Sequence, residues 1–286
     1  MNNAIVVQNL TKNYGDFVLD SLCFELPQGH IMGIIGENGA GKSTTINCIL
    51  NEVKASSGTI QIFGKDHIAA EKEIKNEIGV IFDECTFPVY FTVKQLEQVM
   101  KHAYSNWDTA TYYSYVRKFS LPEKKMIKDF SRGMKIKVAF AVALSHNAKL
   151  LILDEATSGL DPIIRDDILD ILFEFIQNDT HSVLFSSHIT DDLEKIADYI
   201  TFIHAGKKIF TMPKDELLDN YGIVKCTDEQ FGAVENGDYI IYQKQDYQYR
   251  LLVADRNKTE KKYPKLVVEP ASIDDIMLLY VKGEIV

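Results

Sequence analysis

A glycine-rich octapeptide carries the clearest chemistry in this chain of 286 residues. Residues 36–43 read GENGAGKS, which fits the pattern GxxxxGK[ST]. Glycines let successive backbone N–H groups turn inward around phosphate oxygens, and the start of a following helix adds a positive dipole end. Lys42 would reach the β and γ phosphates of a nucleotide, and the Ser43 hydroxyl would ligate Mg²⁺. The predicted phosphate-binding residues are Gly36, Asn38, Gly39, Ala40, Gly41, Lys42, Ser43 and Thr44.

Two adjacent carboxylates end an apolar run. Residues 150–153 read LLIL, as expected of a strand buried on both faces, and Asp154 and Glu155 follow directly. Ligands bind at the carboxyl ends of strands in open parallel sheets, so we expect both acids beside the phosphate loop. Asp154 would hold Mg²⁺, and Glu155 would accept a proton from an attacking water. Taken alone, such a pair is more often an acidic turn in solvent than a catalytic site, and the phosphate loop favours the catalytic interpretation.

The elements that must position these groups alternate between strands and helices. Short apolar runs at 4–10, 30–35, 77–82, 150–153 and 181–186 predict strands. Helical patterns separate them, which predicts an α/β fold with a mostly parallel core sheet. Strand signals stop between Phe87 and Ser145, where Thr92 and Gln95 form a capping box, so a helical subdomain is predicted at about 87–147.

The pattern changes again after about residue 215. Strand-like runs at 239–243, 249–254 and 266–269 precede Ser272, which is placed to cap a last helix. We therefore predict a cassette over residues 1–215 and a small α+β accessory domain over 222–286.

Composition limits the partners. A net charge of −10 argues against binding nucleic acid, because such binding needs a dense field of Lys and Arg. The sequence has neither a run of about 18 apolar residues nor a basic segment opening a secretory signal. We expect a cytoplasmic chain that contacts a membrane only through a partner.

Between the two predicted phosphate-handling sites, residues 130–135 read FSRGMK, which resembles the signature loop LSGGQ of ABC (ATP-binding cassette) ATPases. In that family the loop grips the γ-phosphate of ATP held by the opposite subunit. The resemblance gives this role to Ser131 and Gly133. Arg132 and Met134 depart from the family pattern in a manner associated with exporter-type ATPases.

Three further landmarks follow from the same resemblance. Residues 156–162 read ATSGLDP and resemble the D-loop, in which Asp161 also caps a helix opened by Pro162. His188 matches the switch histidine, which contacts the γ-phosphate. Tyr14 matches the aromatic residue that stacks on adenine.

The weakest match is the Q-loop. The family places a glutamine after the strand that leads into the helical subdomain, whereas this chain has Asp83 there. Aspartate still offers oxygen to Mg²⁺ but is shorter and adds charge. Glu84 is the alternative ligand.

The resemblance implies the ATP-hydrolysing subunit of an ABC transporter, with ATP and Mg²⁺ as cofactors. Its partners would be a second ABC ATPase, identical or related, and integral membrane permease subunits on the inner face of the cell membrane. The tail resembles those of bacterial antimicrobial-peptide and ABC-2-type exporter ATPases, which favours export over import. Two alternatives stay open: a soluble ABC ATPase that acts on a macromolecular complex, and a P-loop kinase, which would not explain Ser131, Asp161 or His188.

Overall fold

The computed structural model describes residues 2–246 and 248–285. The first 213 residues contribute ten strands to two sheets. The strands are β1 (Asn3–Asn13), β2 (Val18–Pro27), β3 (Ile31–Ile35), β4 (Ser57–Ile62), β5 (Lys65–Asp66), β6 (Ile78–Phe82), β7 (Leu150–Asp154), β8 (Ser182–Ser186), β9 (Tyr199–His204) and β10 (Lys207–Pro213). The helices among them are α1 (Lys42–Ile49), α2 (Glu71–Glu77), α3 (Val93–Ala103), α4 (Thr109–Lys118), α5 (Arg132–Ala143), α6 (Pro162–Phe175) and α7 (Thr190–Ile196).

The central sheet has the strand order β10-β9-β3-β8-β7-β6. Its strands from β9 to β6 run parallel, and only β10 at the edge is antiparallel. Every residue of β3, β7 and β8 is buried, as expected of strands covered on both faces. The prediction of a mostly parallel core sheet is confirmed.

A second sheet, β2-β1-β4-β5, is antiparallel and covers one face of the first. Its apolar side chains share a core with α1 and with strands of the central sheet. Of this sheet, only β1 was predicted from the sequence, because β2 and β4 alternate apolar with polar residues and give short, weak signals.

Helices α3, α4 and α5 form the helical insert around a core of their own. Thr92 and Gln95 make the predicted capping box at the start of α3. Asp108 caps α4 by accepting hydrogen bonds from the Ala110 and Thr111 backbone N–H groups. These caps fix where each helix begins.

The C-terminal residues build a five-stranded antiparallel sheet ordered β14-β11-β13-β12-β15. The helices and strands of this C-terminal part are α8 (Lys214–Asn220), β11 (Gly222–Thr227), α9 (Asp228–Phe231), β12 (Ile241–Gln245), β13 (Gln248–Val253), α10 (Arg256–Lys262), β14 (Val267–Pro270), α11 (Ile273–Lys282) and β15 (Glu284–Ile285). Residues Ile273, Ile276 and Leu279 of α11 join the core under the central sheet. The Tyr280 ring meets Phe202 of β9 edge-on, with centroids 5.5 Å apart. The domain boundary near residue 215 stays a prediction.

Among the described residues, no helix is both long and apolar enough to cross a bilayer.

Candidate functional site

Four parallel strands end at one edge of the central sheet and bring the predicted groups together. The phosphate loop follows β3, Asp154 ends β7, and Ser186 ends β8. Asp154 lies opposite Ser186 on one side and opposite Phe82 of β6 on the other. The register therefore places Glu155, His188 and Asp83 next to this edge.

The phosphate loop needs its glycines. A Cβ atom on Gly36 would lie 2.3 Å from the Ile203 carbonyl oxygen. Gly41 has φ +115°, in the left-handed region, and caps α1. A Cβ there would lie 2.7 Å from Leu19 Cδ1. A side chain at Gly36 would collide with the backbone of β9, and one at Gly41 would be strained in its left-handed backbone and press on the Leu19 side chain.

Lys42 and Glu155 form the charged centre of the site. Lys42 Nζ donates to the Gly36 carbonyl at 2.8 Å and lies 3.1 Å from Glu155 Oε1. The other oxygen, Glu155 Oε2, lies 2.5 Å from His188 Nδ1. Burial acts to raise the pKa of Glu155, but the charge and hydrogen bonds of Lys42 and His188 outweigh burial and lower it. Glu155 is therefore held as a carboxylate between two groups that can reach phosphate.

Glu155 also adopts a strained backbone, with φ +53°. Its N–H donates to the Ser186 carbonyl at 3.1 Å and to Ser186 Oγ at 3.2 Å. These bonds fix the turn after β7, so its side chain leaves the strand in a different direction from that of Asp154.

Asp154 is 9% exposed, and Ser186 Oγ donates to its Oδ1 at 2.6 Å. Burial raises the pKa of Asp154; hydrogen bonds from Ser186 and Ser43 oppose that rise, and the nearby carboxylates of Glu155 and Asp83 add to it. Ser186 was not among the site residues predicted from the sequence. The available signal was a serine two residues before the predicted switch histidine, at the end of an apolar strand.

The first Q-loop candidate, Asp83, directly follows Phe82, which pairs with Asp154, and its charge adds to the rise in the pKa of that carboxyl. The side chains of Asp83 and of the alternative, Glu84, are both exposed.

The predicted adenine platform lies on an exposed loop. Tyr14 is 52% exposed, with Lys12 Nζ 4.9 Å from its ring centroid. A second aromatic residue, Phe17, borders the phosphate loop more directly, since a Cβ on Gly41 would lie 3.1 Å from its ring. Phe17 stands three residues after Tyr14 and was not among the site residues predicted from the sequence.

The signature residues Ser131 and Gly133 lie at the start of α5, whereas the D-loop adjoins this centre through the Ser158 N–H, which donates to the Glu155 carbonyl at 3.0 Å. Ser131 caps α5, accepting from the Met134 N–H at 3.3 Å, and Asp161 caps α6, accepting from the Ile164 N–H at 3.1 Å. Gly133 packs on α6, where an added Cβ would lie 3.1 Å from Ile164. Within residues 2–246 and 248–285, no hydrogen bond joins Ser131 or Gly133 to the phosphate loop.

The residues present suit a nucleoside triphosphate with Mg²⁺. The glycine cradle leaves room that side chains would fill, and Lys42 supplies a cation. Asp154, Ser43 and Asp83 are oxygen donors, which hard cations prefer. No cluster of three or more His, Cys, Asp or Glu side chains in the described part of the chain could hold a metal by itself. A metal here would share its coordination with phosphate oxygens.

A parallel sheet with a phosphate loop after one strand and paired acids after another defines a P-loop nucleotide hydrolase. The family model described as "ABC transporter" matches residues 19–158. The chain is 34% identical over 220 residues to the bacitracin transport ATP-binding protein BcrA of Bacillus licheniformis, covering 76% of this chain and 72% of that protein. It is 33% identical over 213 residues to the lantibiotic transport ATP-binding protein SrtF of Streptococcus pyogenes, covering 73% and 90%.

The chain therefore belongs to the ATP-binding subunits of ABC transporters, whose general activity is ATP hydrolysis coupled to transport. A solved structure described as the ATP-binding subunit of an ABC transporter superposes with a TM-score of 0.69 at 25% identity, covering 80% of this chain and 93% of that one. The predicted family and α/β fold are confirmed. The relatives are transport proteins, which favours this interpretation over a non-transport ABC ATPase. The matched model ends before Asp161 and His188.

Proposed function

We propose that this chain powers an exporter by closing on ATP with a second cassette and hydrolysing it through Glu155. The contact that carries the proposal is the double one made by Glu155, 3.1 Å from Lys42 and 2.5 Å from His188. Its carboxylate thus connects the phosphate-binding lysine with the switch histidine.

The lowered pKa keeps Glu155 ionised at neutral pH, as a proton acceptor must be. Its proposed role is to take a proton from water while His188 orients the site and Lys42 neutralises charge on the phosphates. Mg²⁺ would be held by Asp154 and Ser43, with Asp83 as a third oxygen donor, and would neutralise charge on the β and γ phosphates. Asn38, Gly39, Ala40 and Thr44 complete the proposed cradle, and Tyr14 would stack on adenine.

Ser131 and Gly133 serve the opposite site in this proposal. Ser131 is exposed at the N-terminus of a helix of 12 residues, an end that favours negative charge. Since no hydrogen bond among the described residues joins this end to the chain's own phosphate loop, two chains arranged head to tail would each complete the other's site. Asp161 would lie at the contact between the two sites.

The remaining partners follow from the relatives. Integral membrane permease subunits would carry the cargo, and this chain would sit on their cytoplasmic face, touching the membrane only through them and binding no nucleic acid. Because BcrA and SrtF are named for transport of bacitracin and of a lantibiotic, we propose a peptide antibiotic as cargo and export as the direction.

The deciding experiment has two measurements. Light scattering gives the oligomeric state of the Glu155→Gln protein with and without Mg-ATP, and phosphate release compares hydrolysis by the unmutated protein and by the variant. We expect a dimer that forms only with Mg-ATP, and hydrolysis lost in the variant. Glu174→Gln is the control, because Glu174 is exposed and, in the described part of the chain, its ion pair is with Lys118 of α4. A Glu155→Gln protein that hydrolyses ATP at the unmutated rate would refute the role of Glu155.

The cargo is tested in cells that express the chain together with its permease. Cells with the unmutated chain should tolerate more bacitracin or lantibiotic than cells with Glu155→Gln. Equal sensitivity to both compounds would count against a peptide antibiotic as cargo.

A further inference from the structure

An incomplete ion pair joins the first turns of α6 and α7. Arg165 Nε lies 4.0 Å from Asp192 Oδ1. Asp192 is only 2% exposed, yet its Oδ2 makes no hydrogen bond within residues 2–246 and 248–285, and neither does Arg165 Nε. The two side chains border an open cleft of about 370 Å³.

Each member of the pair stands beside a residue of the proposed machinery. Arg165 follows Asp161, the D-loop residue that caps α6, by four residues, so both lie on one side of that helix. Asp192 follows His188 by four residues and lies in the first turn of α7. The pair therefore spans the gap between the D-loop and the switch histidine.

The position of the Asp192 carboxylate costs folding free energy, because the group is buried while one of its oxygens makes no hydrogen bond among the described residues. A buried carboxylate with an unpaired oxygen loses hydration without gaining a full hydrogen bond, and this loss is large for a charged group. An approach of α6 and α7 by about 1 Å would bring the pair to the length of a charge-assisted hydrogen bond. The contact would then give Arg165 Nε a hydrogen bond to Asp192 Oδ1, and a second guanidinium nitrogen would be brought towards the unbonded Oδ2.

We propose that Arg165 and Asp192 are positioning residues, which close on one another when two cassettes clamp ATP and thereby set His188 against the D-loop. The inference rests on the proposed function, since it requires a clamped state. Neither residue touches the nucleotide; both act through the helices that carry Asp161 and His188.

The same two helices offer a matched control. Asp166 Oδ1 lies 3.5 Å from Lys195 Nζ, and both side chains are exposed. Exposed ion pairs contribute little, because water and salt screen them. Asp166→Asn and Lys195→Gln therefore remove an α6–α7 ion pair without uncovering a buried charge.

The experiment is a double-mutant cycle on full-length protein, with Arg165→Gln, Asp192→Asn and the double variant beside the Asp166/Lys195 set. We expect each single change at Arg165 or Asp192 to lower kcat about tenfold or more, with KM for ATP changing by less than about threefold. The double variant should lose no more than the worse single one, since the pair acts as a unit. The control set should keep kcat within about twofold.

Thermal unfolding and binding of a fluorescent ATP analogue separate this role from a structural one. The inference is wrong if the Arg165 and Asp192 variants have the same kcat per folded molecule as the unmutated protein. It is also wrong if changes in the Arg165/Asp192 pair and in the Asp166/Lys195 pair lower kcat equally and additively. Arg165→Lys keeps the charge and should recover part of the rate, which gives a second test should Asp192→Asn fail to fold. A different result would overturn the proposed function itself: the unmutated protein does not hydrolyse ATP, and the Glu155→Gln protein does not dimerise with Mg-ATP. In that case this inference is wrong as well.

Discussion

Replacement of Ser186 by alanine should raise the Mg²⁺ concentration that ATP hydrolysis requires and leave the phosphate loop intact. Ser186 Oγ donates to Asp154 Oδ1 at 2.6 Å, and both residues are buried. The Glu155 N–H also bonds Ser186 Oγ, but it keeps the Ser186 backbone carbonyl at 3.1 Å. The change therefore leaves the turn of Glu155 in place and affects mainly Asp154.

A hydrogen bond to a charged group contributes ~1.5–3 kcal/mol, which corresponds to a factor of about 10 to 100 in an equilibrium constant. Losing the Ser186 bond disfavours the ionised form of Asp154, the form that binds Mg²⁺. We expect the Mg²⁺ concentration for half-maximal hydrolysis to rise by at least about tenfold. Because burial already raises the pKa of Asp154, the acidic limb of the pH–rate profile should also move to higher pH.

The assay is phosphate release at saturating ATP as a function of Mg²⁺ concentration and of pH. Ser182→Ala is the matched control, since Ser182 begins the same strand and is equally buried, and among the described residues its hydroxyl accepts from the Gly29 N–H. Both variants should lose similar stability, and only Ser186→Ala should change the Mg²⁺ dependence. A Mg²⁺ midpoint identical to that of the control would refute the reasoning.

Two further predictions concern single side chains. Tyr14→Ala should weaken ATP binding by ~1–3 kcal/mol, the usual contribution of stacking on a base. Tyr14→Phe should retain the affinity of the unmutated protein. If nucleotide titration gives Tyr14→Ala the same affinity as the unmutated protein, Tyr14 is not part of the site. His146 is buried with its two ring nitrogens 3.1 and 3.0 Å from the Val142 and Ile78 carbonyls, and burial lowers its pKa below the usual 6.5. The folded chain then binds fewer protons than the unfolded chain, so the His146 contribution to stability is present above pH 6.5 and is lost as the pH falls towards the lowered pKa. Urea unfolding at pH 7 and 5 should show a smaller loss for His146→Gln than for the unmutated protein, and a loss of equal size would contradict this.

The phosphate loop, the paired acids and the helix caps could be predicted from the sequence because each depends on residues close along the chain. Gly41, Lys42 and Ser43 act at the start of one helix, and the apolar run before Asp154 identifies its strand without reference to any partner. Thr92 and Ser272 cap their helices through neighbouring backbone groups. Local chemistry of this kind does not depend on how the strands are ordered.

Tertiary structure decided the contacts that join distant segments. Ser186 meets Asp154 across 32 residues, and Arg165 meets Asp192 across two helices, because strand order and helix packing bring them together. The second sheet pairs β1 with β4, whose alternating residues give little signal until their apolar faces pack on α1. The sequence by itself thus determined which groups can do chemistry, and packing determined which groups hold them in place, since side-chain contacts across a sheet depend on register rather than on spacing along the chain.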